Sequence, residues 1–143
     1  MNGDQTALEG GCQCGAVRYA VRGELRGVVN CHCDMCRRLH GAFGAYTKVE
    51  NAALSLVEES GLTWYASSDK ARRGFCRVCG ASLFWQPSGA QTTSIAAGTL
   101  DPPSGLTTIG HIFTGEKGDF YDIVDDLQQF AGSAEGKMDT TDA

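Results

Sequence analysis

Seven cysteines in 143 residues fall into three short clusters: Cys12 and Cys14 in GGCQCGAV, Cys31, Cys33 and Cys36 in NCHCDMC, and Cys76 and Cys79 in GFCRVCGASLF. Thiolates are soft metal donors. A C-x-C pair and a remote C-x-x-C pair together supply the four sulfurs of a closed tetrahedral zinc site, with Zn–S near about 2.3 Å. Each outer cluster ends on a glycine, Gly15 and Gly80, a residue free to take positive φ and aim its amide at a sulfur. The natural partition is four plus three. A zinc ion on Cys12, Cys14, Cys76 and Cys79 would pin a loop near residue 13 to a loop near residue 78 and add folding energy through the metal. Buried apolar thiols would not explain this spacing, and a redox pair at Cys76 and Cys79 wants a βαβ setting that the pattern lacks.

The middle cluster is different. Cys31 and Cys33 stand at i and i+2, so they share one face of a strand while His32 points away, and Cys36 returns after a turn. Three thiolates leave one of zinc's four positions open, the arrangement of a catalytic site; a fourth protein ligand, with His40, His111 or Asp34 as candidates, would close it. Spacing alone leaves both readings standing. Arg37 and Arg38 directly follow the third thiol and suit either a bidentate grip on a substrate carboxylate or compensation of thiolate charge. His111, among apolar neighbours in GHIFT, reads as a satisfied buried histidine or as a general acid/base facing a pocket. Lys70, Arg72, Arg73 and Arg77 form a basic run that reads as a solvated or zinc-compensating face.

These groups need a scaffold of short strands. Val17, Tyr19 and Val21 alternate with Arg18, Ala20 and Arg22, the period of a half-buried strand. Further strands are expected at 27–32, 42–49, 54–57, 62–66, 82–86, 93–97, 108–114 and 120–123. One helical turn starts near Asp34 and stops at Gly41, with a short turn around 125–130. Nothing between strands is long enough for crossover helices, so the fold class is mainly β and not a Rossmann or thioredoxin sheet. Trp64, Phe84, Trp85 and Phe113 are expected in the core. The expected organisation is one zinc domain over 9–131, with disordered ends at 1–8 and 132–143.

Twelve basic against 17 acidic residues give a formal charge of −5, which repels phosphate backbones and anionic lipid, so neither nucleic acid nor membrane is an expected partner. MNGDQTALEGG shows no basic and apolar leader pattern, and no run approaches the roughly 18 apolar residues of a membrane span. The expectation is a cytoplasmic protein, in a compartment where disulfides are rare.

GGCQCGAVRY, CHCDMCRRLHG, GFCRVCGASLFW, AAGTLD and HIF, in this order and spacing, resemble the glutathione-dependent formaldehyde-activating (GFA) family, whose domain also occurs in centromere protein V. The likeness runs from about Glu9 to Phe130. It implies small antiparallel sheets of the β-tent type and two zinc ions per chain: a structural one on Cys12, Cys14, Cys76 and Cys79, and a catalytic one on Cys31, Cys33 and Cys36. It also implies carbon–sulfur lyase or S-hydroxymethylglutathione synthase-like chemistry on adducts of a small thiol such as glutathione with an aldehyde such as formaldehyde. The chain departs from the family's Pro-Trp and Leu-Pro segments, carrying Gly118, Asp119, Phe120 and Tyr121, then Leu127 and Gln128. Two other classes are weighed beside this one: a non-catalytic zinc-stabilised protein-binding module, and a thiol redox sensor using Cys33 and Cys36.

Overall fold

The structure, a computed structural model, describes residues 7–140. In chain order the strands are β1 (Leu8–Gly11), β2 (Arg18–Val21), β3 (Val28–Cys31), β4 (Gly44–Glu50), β5 (Leu54–Glu58), β6 (Leu62–Ser68), β7 (Ala71–Cys76), β8 (Ser82–Pro87), β9 (Thr92–Ala96), β10 (Thr108–Ile112) and β11 (Gln128–Gln129), with one α-helix, α1 (Asp34–His40). The fold is mainly β, as expected. The chain groups into two compact units, one running to Leu25 and from Lys48 to Gly105, the other covering Arg26–Thr47 and the chain from Leu106 on.

In the first unit β1, β2 and β5 form an antiparallel sheet, and β6, β7, β8 and β9 pair antiparallel in succession. The alternation of Val17, Tyr19 and Val21 does place one face inside: their exposures are 0%, 0% and 2%. Burying each such side chain contributes about 1.5–3 kcal/mol. Tyr19 keeps its hydroxyl satisfied on Thr99 Oγ1 at 2.7 Å, and Gly10 makes room for its ring, since a Cβ there would lie 2.4 Å from the Tyr19 hydroxyl. Among the four aromatics expected in the core, Phe84 is buried. Trp64, Trp85 and Phe113 are only half-buried.

In the second unit β3 pairs antiparallel with β4 and parallel with β10, and β10 pairs parallel with β11. The parallel pairs escape the sequence because their partners lie far apart in the chain. The expected helix is found with its stop, Gly41, at φ 94°. Residues 120–123 are not a strand, and the expected turn at 125–130 contains β11 instead. Strand β7 went unread because its Arg72, Arg73 and Gly74 break the apolar alternation. At the ends, the first six residues lie outside the described ones, while Leu8 already belongs to β1. The described part of the tail, expected to be disordered, is tied down: the Gln128 side chain exchanges two hydrogen bonds with the Asp139 backbone at 2.6 and 2.9 Å.

Candidate functional site

Cys12 follows β1 and sits in a tight loop closed by its own N–H donating to Val17 O, 3.0 Å. Cys76 ends β7, where its N–H donates to Ala81 O and Gly80 N–H returns to Cys76 O. Gly15 and Gly80 have φ of 91° and 82°, the left-handed region the Cys-Gly closures anticipate. These loops bring the Cys12, Cys14, Cys76 and Cys79 sulfurs within 4.8 Å of one another. The Cys12–Cys14 and Cys14–Cys76 separations are 3.7 and 3.8 Å. Tetrahedral zinc with bonds of about 2.3 Å has an S···S edge of about 3.8 Å, so the cluster fits that ion. The Cys79 thiol is pulled down to about 6, first by the Ala81 N–H and then, against burial, by the N–H groups of Cys14 and Gln13. Backbone donors are thus in place for a thiolate.

In the second unit Cys31 ends β3, Cys33 is the N-cap of α1 and Cys36 lies in its first turn, where its N–H donates to Cys33 Sγ at 3.3 Å. These three sulfurs also lie within 4.8 Å of one another, with no fourth His, Cys or carboxylate among the described residues in the group. The Cys31 thiol is pushed strongly up by its hydrogen bond with Cys36 and by burial. Thiolates crowded this closely need a cation to offset their charge, and a soft donor set suits zinc. None of the seven cysteines is in a disulfide.

The three residues named as a fourth ligand are all engaged elsewhere. His40 Nε2 shares a hydrogen bond with the Tyr46 hydroxyl at 2.8 Å. The Asp34 carboxylate accepts from Arg37 at 2.5 Å and Arg38 at 3.2 Å. Both arginines therefore meet a carboxylate, that of their own helix. His111 is 3% exposed, with Nδ1 on His32 Nε2 at 2.9 Å and Nε2 on Asp125 at 3.0 Å. With both ring nitrogens held, His111 is a buried, hydrogen-bonded histidine.

Sequence reasoning missed what holds His32. The Asp125 carboxyl is held below its usual range by the Leu127 N–H first and by His111 as well, so it is an anion that can only accept. With one proton on the His111 ring, directions follow along the chain: His111 Nε2–H donates to Asp125, His32 Nε2–H to His111 Nδ1, and the Tyr121 hydroxyl to His32 Nδ1. Burial, with His111 and Lys117 adding, pushes His32 down to about 4, which keeps the ring neutral as this order requires. His32 is thereby anchored between Cys31 and Cys33, two members of the three-thiol group. Gly118, one of the departures from the family pattern, is buried, and a Cβ there would lie 2.6 Å from the Phe120 ring and 3.3 Å from Arg37 Cδ. Nothing local in the sequence flags Tyr121 or Asp125, which stand 89 residues from His32 and 14 from His111.

The comparisons with known proteins agree with this geometry. The family model described as glutathione-dependent formaldehyde-activating enzyme matches residues 7–116. A Schizosaccharomyces pombe protein named "Uncharacterized lyase C29B12.13" is 29% identical over 124 residues, spanning 85% of this chain and 89% of its own. The crystal structure of a Rhodobacter sphaeroides protein aligns with a TM-score of 0.56 at 28% identity, covering 70% of this chain and 97% of that one. With the family match extending over all seven cysteines and most of the described strands, the chain belongs to the glutathione-dependent formaldehyde-activating enzyme family.

Proposed function

We propose that this chain is a zinc-dependent carbon–sulfur lyase that forms and cleaves the adduct of a small thiol, such as glutathione, with a small aldehyde such as formaldehyde. The reading rests above all on the three-thiol cluster of Cys31, Cys33 and Cys36, whose candidate fourth ligands are all engaged elsewhere. Zinc held there would supply a soft fourth position for a substrate sulfur and lower that thiol's pKa from about 8.5. The family membership and the lyase name of the S. pombe relative support the same chemistry.

The chain's own residues hold and orient. The Cys33 sulfur, fixed by the Cys36 N–H, and the His32 anchor between Cys31 and Cys33 keep the three donors in place while leaving one side for a ligand. Arg37 and Arg38 share Asp34 at a half-exposed position, and a carboxylate-bearing thiol competes for the same guanidinium faces. In the forward direction the S–H proton leaves, a C–S bond forms at the carbonyl carbon, and the former carbonyl oxygen takes a proton. The reverse step returns thiol and aldehyde. Cys12, Cys14, Cys76 and Cys79 hold the structural ion in this reading. Seven cysteines with none in a disulfide support a reducing, cytoplasmic setting, and no helix among the described residues is long and apolar enough to cross a membrane.

The test is exchange spectroscopy of glutathione and formaldehyde with the zinc-loaded chain. Exchange faster than the uncatalysed rate, lost in a Cys33→Ser variant that keeps the four-cysteine ion, supports the proposal. A rate equal to the uncatalysed one, with no heat of thiol binding in calorimetry, overturns it and leaves a zinc-stabilised binding module.

A further inference from the structure

A second concave site lies in the first unit and contains none of the cysteines. The antiparallel register sets Trp64 of β6 opposite Gly74 of β7, Gly74 opposite Phe84 of β8, and Arg72 opposite Gln86. All five therefore point to one face of this sheet. Gly74 is what lets the two rings approach, since a Cβ there would lie 3.0 Å from the Trp64 ring and 3.1 Å from that of Phe84. Leu54 and Leu56 of β5 add apolar lining, and the half-open cleft measures about 150 Å³. That volume accommodates one benzene-sized ring. The mouth is open at Leu56 and Asn51, both exposed.

One end of this apolar slot is polar, and its polarity is directional. Arg72 Nε and Nη2 both donate to Gln86 Oε1, at 3.0 and 2.8 Å, filling that carbonyl's two lone pairs. The Gln86 amide is thereby oriented, and its Nε2 donates to Thr93 Oγ1 at 2.9 Å, which in turn donates to Asn51 Oδ1 at 2.6 Å. Gln86 and Asn51 both line the cleft, and with one Gln86 N–H on Thr93 and one Asn51 N–H on Ala90 O, each amide keeps a second N–H. Behind them stands the Arg72 guanidinium, 3.8 Å above the Trp64 ring, with no carboxylate partner among the described residues. Amide donors beside a cation, at the end of an aromatic-walled slot, match an acceptor-only anion on a flat apolar body.

We infer that this cleft binds a small apolar carboxylic acid of about one ring, its body against Trp64, Phe84, Leu54 and Leu56 and its carboxylate toward Gln86, Asn51 and Arg72. The inference does not depend on the thiol chemistry, because no metal-ligating residue lines the cleft. The experiment is a two-dimensional amide NMR titration of the zinc-loaded full chain with benzoate, and with benzyl alcohol as the uncharged counterpart. Benzoate is expected to shift the Trp64 indole and Gln86 side-chain resonances saturably, and benzyl alcohol to bind at least roughly tenfold more weakly, the factor set by losing a charge-assisted hydrogen bond. Leu56→Phe, which fills the cleft from its exposed rim, should abolish the shifts while leaving the spectrum dispersed. Arg72→Gln should bring benzoate down to the benzyl alcohol level. Unmoved Trp64 and Gln86 resonances overturn the site, as does undiminished binding in Leu56→Phe. Equal binding of the two probes to the wild-type chain overturns the carboxylate assignment without recourse to any variant.

Discussion

Replacing Gly61 by alanine tests whether the four-cysteine cluster is packed as tightly as its geometry requires. Gly61 is buried, its N–H donates to Ala16 O at 2.9 Å and its carbonyl accepts from Arg77 N–H at 2.8 Å. An added methyl would lie 2.8 Å from Ala16 Cβ, 2.9 Å from Cys76 Sγ and 3.3 Å from Ala16 O. None of these neighbours is the end of a flexible side chain, and Cys76 is fully buried, so the strain falls on a sulfur of the four-cysteine group or on the backbone. Overpacking of this kind costs about 1–3 kcal/mol. Loss of glycine's freedom in the unfolded chain returns about 0.4–1 kcal/mol. The net is a destabilisation of roughly 1–2 kcal/mol, which for a chain of this size lowers the melting temperature by about 3–8 °C. The control is Gly98→Ala, where no atom lies within 4 Å and the entropic gain alone should raise stability slightly. Calorimetric melting of both variants, with the rate of zinc release to a chelator, gives the reading. A Gly61→Ala chain that melts at or above the wild type and keeps its zinc equally long would refute the argument.

Three further outcomes are expected. Elemental analysis should find two zinc ions per chain, with brief chelation removing one and exposing about three thiols; two ions of equal resistance would contradict an open middle site. His32→Phe keeps a ring but removes both nitrogens, leaving the buried His111 Nδ1 without its donor at a cost of about 1–3 kcal/mol; chemical denaturation showing no loss would mean the imidazole chain is not formed. The Asp101 carboxyl is held below its usual range by hydrogen bonds from Arg18, at 2.6 and 3.3 Å, and by its charge. The unfolded chain therefore takes this proton first as pH falls, so the pair's stabilisation is complete at neutral pH and fades on passing below the usual carboxylate range. Urea midpoints of wild type and Asp101→Asn should converge as pH is lowered from 7 to 3, and parallel curves would refute the linkage.

The two cysteine groups able to hold a metal were legible because their members are local in the chain or come as local pairs. Cys31, Cys33 and Cys36 span six residues, and Cys12 with Cys14, or Cys76 with Cys79, carry the spacing of a sulfur chelate before any tertiary contact is known. The glycines after Cys14 and Cys79 announced their positive φ in the same way. What stayed hidden depended on pairings across the chain. Strand alternation was expected to turn His32 from the cysteines, but β3 ends at Cys31 and Cys33 caps α1, and the partners that hold His32 arrive from residues 111 and 121. Arg72 looked like part of a solvated basic face. Its packing over Trp64 follows from the β6–β7 register, which a strand unread in the sequence could not provide.

Chain separation also gives the two clusters different thermodynamic roles. The contact between Cys14 and Cys76 closes a separation of 62 residues, whereas the middle cluster closes only a few. Loop-closure entropy grows as the logarithm of loop length, so these two cases differ by about 2 kcal/mol of ordering cost in the unfolded chain. An ion on Cys12, Cys14, Cys76 and Cys79 must supply that much more before it binds, and in return its binding is coupled to folding of the first unit. An ion on Cys31, Cys33 and Cys36 meets donors already gathered by β3 and the first turn of α1. The latter arrangement would let a bound metal exchange ligands with little disturbance of the fold, as the proposed substrate position demands, while the former would couple metal exchange to unfolding.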